Sequence, residues 1–109
     1  MIHELKISTK YFRAVYEQRK TFEIRYIDRN YQVGDWLLLR EIDEKYQYTG
    51  EVVFVYVPYL TEDYCKNDYV TMSISNLLYP QNQDDIDEIS QHINNGTIWK
   101  YIEADGFLV

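Results

Sequence analysis

Residues 2–7, Ile-His-Glu-Leu-Lys-Ile, set Ile2, Glu4 and Lys6 against His3, Leu5 and Ile7, the alternation of a short first strand. Ser8 and Thr9 then offer N-cap oxygens. Phe12, Val15 and Tyr16 recur on one helical face while Lys10, Arg13 and Glu17 can face water, so a helix is expected from about residue 9 to 18. Period two returns at residues 21–27, with Phe22, Ile24 and Tyr26 on one side and Thr21, Glu23 and Arg25 on the other. The apolar set is expected to face the core. That leaves Glu23 and Arg25 about 7 Å apart on the opposite face, with Lys20 at the strand's entrance just after the helix.

Val33-Gly34-Asp35 reads as a tight turn into Trp36-Leu37-Leu38-Leu39, an apolar run expected of a strand buried on both faces. Residues 46–59 form a second long strand, hairpin-paired with the first through residues 43–46 and ended by Pro58. Residues 60–68 read as a polar loop, and 69–75 as a strand turning Val70, Met72 and Ile74 inward. Beyond Pro80, Asn82 is a plausible cap for a second helix carrying Ile86, Ile89 and Ile93 on one face and stopping at Gly96. Residues 97–109 read as a final strand, an Asp105-Gly106 turn and an apolar end, Phe107-Leu108-Val109, expected to dock on the domain or on a neighbouring subunit. Strands outnumber helices, so the fold class is α+β, mainly β, in a single domain over 1–109 with two helices.

Composition sharpens this picture. Twelve tyrosines and 46% hydrophobic residues are enough for a genuine core in 109 residues, which sets disorder aside. The net charge of −7 argues against indiscriminate binding to phosphate backbones. That charge is unevenly spread: residues 1–45 hold nine basic against eight acidic residues, whereas 46–109 hold two against ten. An anionic ligand should therefore meet the first half. With Cys65 alone no internal disulfide or cysteine-built metal site can form, and His3 and His92 lie far apart in sequence, so no metal and no cofactor are expected. Neither a secretory leader nor a membrane span is evident, and the expected location is cytoplasmic, away from membranes.

The strand, the capped helix, and then RKTFEIR (19–25), VGDWLLLRE (33–41), YTGEV (48–52) and YVTMSI (69–74) together resemble the ASCH family of PUA-like domains, especially small uncharacterised single-domain members from bacteria and their phages. The resemblance covers roughly residues 1–76. Its most specific part is the Gly-x-Lys-x-x-Glu-x-Arg signature, matched by Lys20, Glu23 and Arg25, with Gln18 standing where the signature has glycine. Either Gln18 takes a strained backbone conformation or the helix runs one residue further. The resemblance implies a partly closed β-barrel, here residues 1–78, with helices at its openings and a cleft between helix and barrel lined by the signature residues; the helix-strand extension over 79–109, read from the residues, lies outside it. It also implies RNA or a nucleoside-derived ligand, and one branch of the family hydrolyses the amide of an acetylated cytidine.

Lys20, Glu23 and Arg25 could instead be a salt-bridge network pinning helix to strand. The matched signature favours a ligand-facing cleft, where cations would hold a phosphate or carbonyl and the carboxylate would read a donor edge. Arg19 and Arg29 could extend a positive rim, and Tyr48 could stack on a base. An amidohydrolase would use Lys20 and Glu23, with Thr21 as a substitute nucleophile, because the hydrolytic branch carries threonine at the position of Glu23. A third class is an acidic module of phage type: four acids within residues 84–88 could face a basic protein partner, although helix-dipole complementarity explains them as well.

Overall fold

The apolar runs at 36–39 and 52–55 have no polar side for water, and each is covered on both faces. The computed structural model describes residues 1–105. Its elements are β1 (Ile2–Ser8), α1 (Thr9–Tyr16), β2 (Phe22–Tyr26), β3 (Trp36–Ile42), β4 (Tyr48–Tyr56), β5 (Leu60–Thr61), β6 (Tyr69–Ser73), β7 (Ser75–Leu78), α2 (Gln83–Asn94) and α3 (Ile98–Asp105). One sheet has the order β1-β3-β4-β7 and the other β2-β6-β5. All pairings are antiparallel except β1 with β3, which run parallel because the chain passes through α1 and β2 between them.

The larger sheet is the middle layer. Its inner face sends Leu5, Ile7, Leu37, Leu39, Val53 and Val55 against Val70 and Met72 of the smaller sheet and against Phe12 and Val15 of α1. Its outer face sends Trp36, Leu38, Val52 and Phe54 against Ile86 and Ile89 of α2 and Ile98 and Ile102 of α3. Alternate residues of β3 and β4 thus belong to different cores, which is why neither strand tolerates a polar position between residues 36 and 39 or 52 and 55. The expected hairpin through residues 43–46 is present, closed by Asp43, whose backbone N–H donates to the Gln47 carbonyl at 2.9 Å.

The exit from α1 settles the choice at Gln18. The helix stops at Tyr16, Gln18 adopts φ +61°, its N–H donates to the Val15 carbonyl, and the Arg19 N–H donates to the Ala14 carbonyl. This pair of bonds is a Schellman closure, in which a left-handed residue normally supplied by glycine satisfies the last carbonyls of the helix. The Lys20 N–H also donates to the Ala14 carbonyl, so the turn fixes where Lys20 leaves the helix. The expected helix end at residue 18 is thereby corrected to Tyr16. Gly96 closes α2 the same way, with φ +74°.

Three further expectations are corrected. Residues 98–105 form a helix, not a strand: Ile98 and Ile102, four apart, both bury against the outer core, and Trp99 packs on Trp36 and Tyr56. Isoleucine and aromatic residues favour strands locally, but burial of an i, i+4 pair against α2 overrides that preference. The chain therefore carries three helices among the described residues, and residues 79–105 are helix-helix. Short strand β5 lies in the stretch read as a polar loop, and the single strand read over 69–75 is two, β6 and β7, the second running on to Leu78. The largest reversal is in β2, where Phe22, Ile24 and Tyr26 are 43%, 55% and 55% exposed, whereas Glu23 is 3% exposed. The Asp105-Gly106 turn and the docking of Phe107-Leu108-Val109 lie outside the described residues.

Replacing Gln18 by glycine removes the steric cost of a left-handed side-chain-bearing residue, about 1 kcal/mol after the added freedom of the unfolded chain is counted. Urea unfolding of Gln18→Gly should show a gain of that order at unchanged slope. A loss of stability would contradict the strain assigned to this turn.

Candidate functional site

The reversal in β2 follows from its register. Glu23 lies opposite Met72 and Arg25 opposite Val70, and directly opposed residues share a face. Met72 and Val70 belong to the inner core, so Glu23 and Arg25 point inward too. Phe22, Ile24 and Tyr26 pair with Ser73, Thr71 and Tyr69 on the outer face, where the Tyr26 and Tyr69 rings meet edge-on at 5.6 Å. Because β2 is the edge of its sheet, its inner face opens at the side onto β1, the edge of the other sheet.

Two charged side chains directed into a core need partners, and these find one another. Lys20 Nζ and Arg25 Nε each donate to a different oxygen of the Glu23 carboxylate, the second at 2.9 Å. Lys20 Nζ also donates to the Phe22 carbonyl at 2.6 Å, on the free edge of β2. Arg25 Nη1 donates to the Lys6 carbonyl at 3.1 Å, and Arg29 Nη1 to the Glu4 carbonyl at 3.3 Å. The two arginines therefore span the seam between the sheets and occupy carbonyls of β1 that no strand pairs. The Glu23 side chain is 4% exposed, those of Lys20 and Arg25 17% and 21%. The carboxylate is the buried centre and the cations form the wetted rim.

Above this triad lies a cleft of about 510 Å³, walled by Lys6, Ser8 and Tyr11 on one side and by Lys20, Phe22 and Arg25 on the other, with Glu23 below. Lys20 Nζ lies 4.9 Å from the Phe22 ring centre and 5.8 Å from that of Tyr11, so two aromatic rings flank the ammonium. Three cations against one carboxylate make the cleft net positive in a chain of net charge −7.

The structure brings Lys20, Glu23 and Arg25 together. Arg29 and Tyr48 lie in an adjoining depression of about 310 Å³ that shares Lys6 and Arg25 with the cleft. There Arg29 Nε donates to Asp28 at 3.2 Å, and this bond holds the Asp28 carboxyl below its usual range. Arg19 turns away and forks onto Glu17 at 2.7 and 3.0 Å. Thr21 is exposed and does not line the cleft. Lys6, Ser8 and Tyr11 are cleft residues that the strand and helix patterns alone do not single out. Their one signal is position, since Lys6 sits on the outward face of an edge strand and Tyr11 on the outward face of α1.

Other polar groups have structural work. Asp35 Oδ2 accepts from the Gln32 N–H at 2.9 Å and lies 2.7 Å from His3 Nε2, while Oδ1 accepts from the chain's first amine at 3.3 Å, so the turn after Gly34 anchors β1. Tyr31 packs edge-on to His3, and burial pushes its phenol up from the usual value. In the acidic run, Asp85 accepts from the Gln81 N–H and its own N–H donates to the Asn82 side chain, which starts α2. Among the described residues no group of three or more His, Cys, Asp or Glu could hold a metal ion, and no helix is long and apolar enough to cross a membrane.

Against known proteins, the chain matches a family described as a domain of unknown function, DUF3850, over residues 2–74. That span contains every residue lining the cleft and its neighbouring depression. The chain is also similar to an uncharacterized 12.9 kDa protein in the GpA 3′ region of Escherichia phage P2, 52% identical over 40 residues, which is 37% of each chain. The alignment thus spans little more than a third of that relative. On the match over residues 2–74, the chain belongs to the DUF3850 family.

Proposed function

We propose that this DUF3850 chain is an ASCH-like, PUA-type domain whose two sheets act as a partly closed barrel, and that it binds a nucleotide unit, as RNA or as a modified nucleoside, in the cleft over Glu23. The observation that carries this reading is the buried carboxylate clamping Lys20 and Arg25 at the base of a net-positive cleft flanked by the Tyr11 and Phe22 rings. Two further features support it. Lys20, Glu23 and Arg25 have the spacing of the ASCH signature, and Gln18 takes a left-handed φ where the signature has glycine.

The chemistry suits such a ligand. Glu23 has both oxygens committed to Lys20 and Arg25, so its part is to hold the cations in place. A phosphate or base carbonyl then meets two pre-positioned donors at little cost in side-chain entropy. A base has a face to stack on at Tyr11 or Phe22. The volume falls within the range of small-molecule sites, about 300–1,000 Å³.

The hydrolytic reading, an amidohydrolase acting on an acylated cytidine, draws on the direct contact of Lys20 Nζ with Glu23 inside the cleft. It requires water to reach a carboxylate that already serves two cations and whose side chain is 4% exposed. Thr21 lies outside the cleft lining and is not placed to act as the substitute nucleophile; the hydroxyls that do line the cleft belong to Ser8 and Tyr11.

Titration with nucleosides, nucleoside monophosphates and short single-stranded RNA should reveal a ligand whose binding weakens by about 1–3 kcal/mol in Lys20→Ala and in Arg25→Ala, the loss of one charge-assisted hydrogen bond each. Lys100→Ala, on α3, should leave affinity unchanged. Equal losses at all three positions would mean diffuse attraction and not a cleft. Incubation with acylated cytidines, followed by mass spectrometry, separates binding from hydrolysis. A binding domain returns the nucleosides intact. Turnover that falls about 100-fold or more in Glu23→Gln would replace the binding reading with the hydrolytic one.

A further inference from the structure

The depression beside the cleft extends the same seam. Arg25 stands between the two hollows: its Nε is held by Glu23 on the cleft side and its Nη1 by the Lys6 carbonyl on β1. Lys6 and Arg25 line both hollows. Beyond them the second hollow offers Arg29 and Tyr48. Its cations Lys6, Arg25 and Arg29 face the carboxylates Glu4 and Asp28, which leaves it net positive by one. Glu4 is also bound by Arg40 at 3.2 Å, which draws that carboxylate toward β3.

Tyr48 is not a loop residue that could fold back. It is the first residue of β4, paired with Ile42 across the irregularity that separates it from the regular β3 register, and residues 48–51 project beyond the core as an exposed strand end. Its ring is therefore held at the groove's edge, 59% exposed, with Lys6 Nζ 5.7 Å from its centre. An exposed ring beside a cation repeats the arrangement of Phe22 and Lys20 in the first hollow. The carbonyls of Glu4 and Lys6 that receive the two arginines are two residues apart on β1, about 7 Å, comparable with one step of an extended nucleic-acid strand.

Resting on the nucleotide reading given above, we propose that the ligand is a single-stranded polynucleotide, not a free nucleoside, and that it runs along the β1/β2 seam. One nucleotide occupies the cleft over Glu23, and the next passes Arg25 to place its base on Tyr48 and its phosphate at Arg29. Alternating rings and cations along one groove are how single strands are held without base pairing, since each ring takes a base face and each cation a phosphate. A duplex has its base faces covered and gains nothing from Tyr11, Phe22 or Tyr48.

The test compares the four nucleoside 5′-monophosphates, each tested singly, with the matching RNA homotetranucleotides by isothermal titration calorimetry on wild type, Tyr48→Ala, Tyr48→Phe and Arg29→Ala. Expected for at least one base are a tetranucleotide bound about tenfold or more tighter than its monophosphate, loss of most of that gain in Tyr48→Ala, its retention in Tyr48→Phe, and monophosphate affinity unchanged in both. Arg29→Ala should also lower the salt dependence of tetranucleotide binding by about 0.7 in log–log slope, one phosphate contact on a single strand. Monophosphates that bind through Lys20, with a tetranucleotide that gains nothing or a gain that survives Tyr48→Ala, would overturn the two-step groove and leave the cleft reading standing. Absence of binding by both probes would overturn the two-step groove and confine the cleft reading to a modified nucleoside.

Discussion

The arrangement of this protein turns on one carboxylate. Glu23 sits on the inner face of an edge strand, opposite a core methionine, and accepts from Lys20 and Arg25 at once. Exposed ion pairs contribute little, but a buried carboxylate needs full compensation, and these two cations supply it. The same bonds fix Lys20 at the end of the α1 turn and direct Arg25 across the seam to the Lys6 carbonyl. In this way the cation-rich cleft and the arginine contact across the seam both depend on a single buried charge, which the register of β2 with β6 directs inward while it turns Phe22, Ile24 and Tyr26 outward.

The rest of the fold gives that seam a rigid frame. β3 and β4 lie in the middle layer with apolar side chains on both faces, the inner core taking α1 and the smaller sheet and the outer core taking α2 and α3. β1 is held to β3 along its whole length and tied at its start by Asp35 to His3 and the first amine. Only its other edge stays unpaired, and there the arginines take the place of a neighbouring strand. An open sheet edge is usually an aggregation hazard; here charged side chains cap it, which also leaves a groove able to accept a ligand.

Much of this was legible in the sequence. The alternation of β1, the two-sided burial of β3, the inward Val70, Met72 and Ile74, and the Asn82 cap of α2 with its Gly96 stop all depend on local period and end chemistry, which residues carry themselves. The convergence of Lys20, Glu23 and Arg25 was also anticipated, but on the wrong physical ground. Alternation told which residues share a face, not which face is inside. That depends on pairing with β6, 43 to 51 residues further on, whose Val70 and Met72 occupy the interior. The third helix was hidden for a related reason: Ile98 and Ile102 fit a strand as well as a helix until α2 provides a surface at helical spacing. Lys6, Ser8 and Tyr11 joined the cleft only through tertiary packing, so no motif marks them.

The most direct test of the central claim is an NMR map of amide shifts during titration with single-stranded RNA. If the seam is the binding site, the largest changes cluster at residues 6–11, 20–25, 29 and 48, while α2 and α3 stay still. Changes concentrated on α2 and α3, with residues 20–25 unmoved, would contradict it.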